Sequence, residues 1–164
     1  MVDHDEHADN DHANDEVDQL RWPDALPPSW AAAPVSAEPG FESTFAVTED
    51  GAPRGSVSVV RVAKSELDAA YPASVRDRLL VPSPDAPAEA LQLVSERVME
   101  AEPACRRLVV STPEGDVAQI ARAERAGYRY VVDVDLPDRA VSLMAAEPDW
   151  VLEESRRIDD VPTR

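Results

Sequence analysis

The second half of this 164-residue chain holds two helix patterns, each set between apolar strand patterns. In the first helix pattern, Leu91, Val94 and Val98 recur at a spacing that places them on one helical face. Asp116 is expected to cap the second helix, and Gly127 is expected to end it. Helices that alternate with strands predict an α/β sheet, with right-handed crossovers wherever neighbouring strands are parallel.

Strand patterns continue before and after these helices. The pair Asp50–Gly51 is typical of a hairpin turn, and β-branched residues fill the segment after it. Pro137–Asp138 predicts the turn of a final hairpin. The predicted strands, in chain order, are 41–50, 54–64, Arg78–Val81, Arg106–Ser111, 128–136 and 139–147. The body of the chain, residues 21–150, is therefore expected to form a single domain.

The two ends of the chain look different from the body. Residues 1–20 are rich in acidic residues and poor in apolar ones, which predicts a disordered tail. The three histidines in this tail either are solvated or hold a metal ion weakly. Residues 21–40 are rich in proline, and we expect extended chain there with a short helix near Trp30. Residues 151–164 read as a polar C-terminal extension.

Charge and composition exclude several classes of function. The chain has 33 acidic and 16 basic residues, a formal net charge of -17, which argues against binding nucleic acid or an anionic membrane surface. The sequence contains no apolar run of the roughly 20 residues that a membrane-spanning helix needs. Its one cysteine, Cys105, cannot form an internal disulfide or a cysteine-based metal cluster. We therefore expect a cytoplasmic protein without a bound metal.

The histidines constrain the chemistry further. His4, His7 and His12 all lie in the acidic tail, so the body has none. A catalytic histidine is unavailable there unless the tail folds back onto it. Proton transfer in the body must otherwise use Asp, Glu, Tyr, Cys or the lone lysine, Lys64.

The segment from Arg106 to Met144, RRLVVSTPEGDVAQIARAERAGYRYVVDVDLPDRAVSLM, resembles the closing part of the GNAT acyltransferase superfamily. From about Val60 onward the chain is similar to the siderophore-biosynthesis branch, whose members acylate the side-chain nitrogen of lysine or hydroxylysine. The motifs that carry this likeness are VRVAKSELDAAYP, RLLV, AEPACRRLVV and ERAGYRYVVDVDLPDRAVSLM. The resemblance covers roughly Phe41–Glu147.

The resemblance implies a mixed, mostly antiparallel sheet with two main helices, in a monomer or a homodimer. It also implies acyl transfer from acyl-CoA, such as acetyl-CoA, to a small amine or hydroxylamine, with no tightly bound cofactor. In that fold two strands part to admit the pantetheine arm, and a strand N–H, here assigned to Val81, polarises the thioester. A loop at a helix N-terminus holds the pyrophosphate. The cofactor-binding residues implied are Leu80, Val81, Ala86, Ala88, Glu89 and Ala90.

The remaining candidate site residues are chosen by their positions on the predicted strands and at the strand ends. Glu114 and Asp116 are candidates to orient the acceptor amine, with a solvated loop and a plain helix cap as their alternatives. Ser111 and Thr112 could hydrogen-bond the substrate at the same sheet edge. Tyr128 is a candidate substrate contact, and core packing is the alternative.

The sequence departs from the family at the loop PSPDAPAEA. This loop has no glycine, Pro84 and Pro87 lack N–H groups, and Asp85 and Glu89 place negative charge where phosphate is expected. The branch's strand histidine is replaced by Arg78, and a tyrosine acid found in many members is replaced by Ala123 on the second helix. Three hypotheses stay open: an N-acyltransferase, an inactive binding module that has lost CoA binding, and one half of a dimeric or multi-domain arrangement whose groove another chain completes. A hydroxylamine acceptor, neutral at pH 7, is better suited than an amine to a site without a base.

Overall fold

The protein is described by a computed structural model that covers residues 22–70 and 76–147. In chain order the elements are β1 (Trp30–Val35), β2 (Ser43–Glu49), β3 (Ala52–Arg61), a 3-10 helix (Val62–Lys64), β4 (Arg78–Pro82), α1 (Ala88–Ala101), β5 (Leu108–Pro113), α2 (Val117–Arg125), β6 (Arg129–Asp135) and β7 (Ala140–Ala146). The strands form one sheet in the order β1-β2-β3-β4-β5-β7-β6. Every neighbouring pair is antiparallel except β4 and β5. The predicted mixed, mostly antiparallel sheet with two main helices is confirmed.

The two faces of the sheet have separate cores. Both helices pack on one face, where Leu80, Leu91 and Leu108 are fully buried. The other face buries Leu79 and Val109 beneath the short 3-10 helix and the turn that follows it. Residues that alternate along β4 and β5 thus serve opposite cores, as expected for strands buried on both faces.

Local signals in the sequence account for the turns and the helix ends. Asp50 and Gly51 both have positive φ, 50° and 81°, as a two-residue hairpin turn requires. The Asp116 side chain accepts a hydrogen bond from the Gln119 N–H at 3.0 Å and caps α2. Gly127 ends that helix with a φ of 106°.

The N-terminal stretch of the described chain differs from the prediction. A short helix was expected near Trp30, but residues Trp30–Val35 form the outer strand β1 and pair along their length with β2. Pro34 is tolerated because an outer strand has a neighbour on one side only. The backbone hydrogen bonds to β2 therefore stabilise a strand more than the helical preference of the alanines at 31–33 stabilises a helix.

Ahead of β1, the chain is fixed on the helices by side chains. The Trp22 indole donates to the Glu96 carboxylate at 2.9 Å, and its ring lies against Tyr128 with 6.4 Å between centroids. The Gln92 amide donates to the Asp24 carbonyl at 2.8 Å. The acidic tail with its histidines, and the extension at 151–164, lie outside the described residues.

Within the described residues, no helix is long and apolar enough to cross a membrane. In the same part of the chain, no three His, Cys, Asp or Glu side chains gather where they could hold a metal ion.

Candidate active site

The lone parallel strand pair, β4 and β5, separates soon after it forms. Only two positions pair, Arg78 with Leu108 and Leu79 with Val109. Strand β4 continues to Pro82 and β5 to Pro113 without further pairing between them. A gap therefore opens inside the sheet at the carboxyl ends of the two strands, the place where sheets with parallel strands commonly bind ligands.

The direction of the peptide groups along β4 decides which of them face this gap. Hydrogen bonds from Val62 N to Asp77 O, 3.0 Å, and from Ser83 N to Ser56 O, 2.8 Å, bracket the pairing of β3 with β4. Peptide groups alternate along a strand, so the odd-numbered residues of β4 bond to β3. The N–H of Val81 is therefore directed at β3 and away from the gap. The assignment of the thioester-polarising N–H to Val81 needs correction for this reason.

On the far side of the gap, the peptide group that faces β4 belongs to Ser111. The Glu114 N–H donates to the Ala140 carbonyl at 3.2 Å, so the even-numbered residues of β5 direct their peptide groups at β7. The peptide N–H of Ser111, an odd-numbered residue, is therefore directed at β4. Since pairing with β4 stops at Val109, the Ser111 N–H and the Leu80 C=O meet the gap without a ladder bond. The unpaired backbone donor and acceptor can therefore hydrogen-bond to an amide group of a chain that enters the gap.

A cavity of about 450 Å³ lies at the gap. It rests on the sheet face opposite the helices, over Val60, Leu79 and Val141. Gln119 belongs to α2 on the other face and also lines it, so the cavity is lined from both faces where the strands separate. The side chain of Val81 contributes to the wall and is 37% exposed.

Charged side chains form part of the cavity lining. Lys64 and Arg139 line it together with a single carboxylate, Glu66. Arg139 forms an ion pair with Glu66 and another with Asp138, and the first of these raises the pKa of the Arg139 guanidinium. Within the described lining, the one carboxylate is thus already paired to a cation.

Thr112, one of the residues that line the cavity, has a buried hydroxyl without a partner in the described part of the chain. Thr112 is 1% exposed, and its Oγ1 atom forms no hydrogen bond to any described residue. A buried hydroxyl left unpaired costs free energy, so such atoms are usually bonded to protein, water or ligand. Thr112 therefore has the property expected of a ligand contact. Ser111 and Thr112, both predicted to contact substrate, are brought together at the cavity.

The loop after β4, residues 83–87, folds back on itself and on β3. The Ala86 N–H donates to the Ser83 carbonyl at 3.0 Å, and the Ser83 hydroxyl donates to the Asp85 carboxylate at 2.6 Å. The same hydroxyl accepts the Ser56 N–H at 3.0 Å. These bonds use up polar groups of the loop that a phosphate would otherwise meet.

Glycine at position 55 allows the loop to lie this close to β3. Its φ is 77°, and a Cβ atom there would be 2.7 Å from both the Ala86 Cα and the Ser83 Oγ. A glycine inside a β-branched strand is the sequence signal for such a close backbone approach.

Arg122, on α2, holds the loop from the other side. Its Nη1 atom donates to the carbonyl oxygens of Ser83 and Ala86, both at 3.0 Å. Burial lowers the pKa of this guanidinium. Arg122 was not among the residues predicted from the sequence, which has no local signal for it because its partners lie 36 and 39 residues away.

The predicted loop contacts differ in their exposure. Ala86, Ala88 and Ala90 are buried against the sheet, so only their peptide groups could meet a ligand. Glu89 is exposed at the start of α1, and Pro87 caps that helix without a side-chain bond.

Three other predicted residues lie apart from the cavity lining. Glu114 is exposed in the turn after β5. Both carboxylate oxygens of Asp116 accept from Gln119, so its side chain serves as the helix cap. Tyr128 is 3% exposed in the core beneath the helices, where its hydroxyl bonds to Ser95 Oγ at 2.7 Å. The structure does not bring Glu114, Asp116 or Tyr128 to the cavity.

The arrangement of strands and helices matches the GNAT fold. The similar solved structures have the same fold at low sequence identity. An uncharacterised protein from Bacillus halodurans matches with a TM-score of 0.60 and 16% identity, over 71% of this chain and 63% of that one. The aminoglycoside acetyltransferase AAC(6')-Ib in complex with coenzyme A matches with a TM-score of 0.57 and 14% identity, over 70% of each chain.

The same acetyltransferase in complex with acetyl-CoA and paromomycin matches with a TM-score of 0.57 and 14% identity, over 70% of this chain and 68% of that one. This chain therefore spans less than two thirds of the length of the Bacillus protein and about 70% of the acetyltransferase. No protein-family model and no curated protein matches the sequence.

Proposed function

We propose that the protein is an acyl-CoA-dependent N-acyltransferase, with acetyl-CoA as the simplest donor. The observation that carries the proposal is the gap between β4 and β5, where the Leu80 C=O and the Ser111 N–H lack ladder partners. A pantetheine arm carries two amide groups and a thioester, so it can use both an acceptor and a donor. Structures of the same fold with coenzyme A or acetyl-CoA bound support this reading.

In the proposed reaction the acceptor nitrogen attacks the thioester carbonyl carbon. The new C–N bond forms, the C–S bond breaks, and the proton lost from nitrogen is balanced by protonation of the leaving CoA thiolate. In this proposal the Ser111 N–H donates to the oxygen that gains charge, since donors aimed at developing charge stabilise a transition state. Thr112 Oγ1 is available to a group of either reactant.

The acceptor is proposed to be a small amine or hydroxylamine. Among the described residues that line the cavity, no histidine, tyrosine or cysteine is present, and Glu66 is paired with Arg139. A neutral hydroxylamine needs no general base before attack, whereas a lysine amine with a pKa near 10.4 does. This argument, with the resemblance of the chain from about Val60 onward to the siderophore branch, favours a hydroxylated amine of siderophore biosynthesis as acceptor.

A second candidate function is a GNAT-fold binding module without acyl transfer. The observation in its favour is the loop 83–87, which has no glycine, is packed on Gly55 and has its carbonyl groups bonded to Arg122. Such a loop offers few N–H groups to a pyrophosphate.

Thermal unfolding with acetyl-CoA separates the two candidates. A ligand that binds only the folded state at 100 times its Kd stabilises it by about 2.7 kcal/mol, so the enzyme should melt several degrees higher. A release assay for the CoA thiol, with hydroxylysine and lysine as acceptors, then measures turnover. An unchanged melting temperature at millimolar acetyl-CoA contradicts acyl transfer and favours the binding module.

Two matched variants test whether the gap is the binding place. Val81→Trp fills the cavity wall and should remove the shift caused by acetyl-CoA. Val131→Trp places the same bulk on β6, outside the described cavity lining, at a position 43% exposed compared with 37% for Val81. The shift should persist in this control, and its loss in both variants would mean that the effect is not local.

A further inference from the structure

Arg122 reaches the loop 83–87 with only part of its hydrogen-bonding capacity in use. A guanidinium carries five N–H donors. The Nη1 atom donates to Ser83 O and Ala86 O, with a longer contact of 3.5 Å to Pro84 O. Within the described part of the chain, Nε and Nη2 donate to no protein atom. Three donors of a half-buried cation thus remain available.

Arg122 lies one helical turn from the cavity lining and contacts the loop that follows β4. Gln119 lines the cavity and precedes Arg122 by three residues, so both side chains share one face of α2. On the opposite side, the loop that Arg122 holds begins directly after β4, whose Val81 side chain also lines the cavity. A thioester arm that left the gap between α2 and the loop would pass the guanidinium.

The negative charge of the loop 83–87 and of the start of α1 means that an anion would need a cation beside it to bind there. Asp85 and Glu89 place two carboxylates near the start of α1, and Pro84 and Pro87 lack N–H groups. A diphosphate held there by peptide groups alone would face net repulsion. In a half-buried setting a charged donor interacts more strongly than in water.

We propose that Arg122 binds the diphosphate of the acyl-CoA through Nε and Nη2 while Nη1 keeps the loop in place. The proposal rests on the proposed function and adds to it a residue that supplies the phosphate donors that the loop PSPDAPAEA lacks. Two parallel N–H donors of a guanidinium match two phosphate oxygens, a geometry that lysine does not reproduce.

The test compares coenzyme A with pantetheine, which has the same thiol arm and no diphosphate. NMR titrations of the full chain measure both affinities for the wild type and for Arg122→Gln. The variant should bind coenzyme A at least about tenfold more weakly and bind pantetheine within about twofold of the wild type. Arg125→Gln removes the same charge from an exposed position on the same helix and should change neither affinity.

Each outcome is informative. Equal loss of both ligands in Arg122→Gln overturns the proposal, because it shows that the loop merely collapsed; no loss of either also overturns it. If that variant fails to fold, Arg122→Lys keeps a charged donor for the loop carbonyls, and unchanged coenzyme A affinity in it contradicts the bidentate role. If the wild type binds neither ligand, the proposed function itself is wrong.

Discussion

The hydroxyl of Tyr128 shows how a single buried residue ties stability to pH. Burial raises the pKa of this phenol, and its hydrogen bond to Ser95 only partly offsets that effect. The folded state therefore keeps the phenolic proton at a pH where the unfolded chain has lost it. The resulting stabilisation is fully present below the ordinary tyrosine pKa of about 10 and is lost as pH rises above it.

We predict that the free energy of unfolding falls above pH 10, by up to about 1.4 kcal/mol per pH unit from this group. In Tyr128→Phe that contribution disappears, so the difference between wild type and variant should shrink as pH rises from 8 to 11. Urea unfolding across this range measures it. Cys105, whose pKa burial also raises, is present in both proteins, and its charge adds to the rise in the Tyr128 pKa.

Ser95→Ala provides the control, since it removes the hydrogen-bond partner and leaves the phenol buried. Its alkaline loss of stability should resemble that of the wild type. A parallel loss in Tyr128→Phe as well would contradict the assignment to Tyr128.

The path of one loop depends on a glycine in the neighbouring strand. Gly55 and Gly51 have nearly the same φ, 77° and 81°, but only Gly55 faces atoms within 4 Å. An alanine at either position adopts a strained backbone conformation at a cost of about 1 kcal/mol. At position 55 it also overlaps Ala86 and Ser83, which adds about 1–3 kcal/mol.

Gly55→Ala should therefore lower the free energy of unfolding by about 2–4 kcal/mol, and Gly51→Ala by about 1 kcal/mol. Chemical denaturation of the two variants measures the difference. Equal losses would show that the loop moves aside at no cost.

Elements with local signals were predictable from the sequence, and features set by distant partners were not. The Asp116 cap, the Asp50–Gly51 turn and the buried helix face follow from neighbours within a few residues. The extended chain expected over residues 21–40 includes the strand Trp30–Val35, but the short helix expected near Trp30 is wrong, because pairing with β2 defines the strand.

The candidate site was predictable to a similar extent. Ser111 and Thr112 lie at the cavity because strand ends gather at one sheet edge. The direction of the Val81 peptide depends on the register with β3, which the sequence of β4 does not specify. Arg122 escaped prediction because its loop partners are distant along the chain.

Across the whole molecule, charge works against compactness. A net charge of -17 produces self-repulsion in the folded state, and salt screens it. Exposed ion pairs such as Arg61–Glu42 stabilise little, so their loss in salt is a small opposing effect. We predict that raising NaCl from about 20 mM to about 500 mM increases the melting temperature.

A chain without residues 1–20 supplies the matched control, because the deletion removes eight acidic residues and no lysine or arginine. Its melting temperature should rise less over the same salt range. A fall in melting temperature with salt would mean that attractive pairs outweigh the repulsion.

The two-position pairing of β4 with β5 has a mechanical consequence. It joins two antiparallel blocks, β1–β4 and β5–β7–β6, by the shortest seam in the sheet. A ligand bound in the opening would contact both blocks, so the shortest pairing in the sheet and the candidate site coincide. A relative with a wider opening for a bulkier ligand would need stronger packing of α1 and α2 across the two blocks to stay folded.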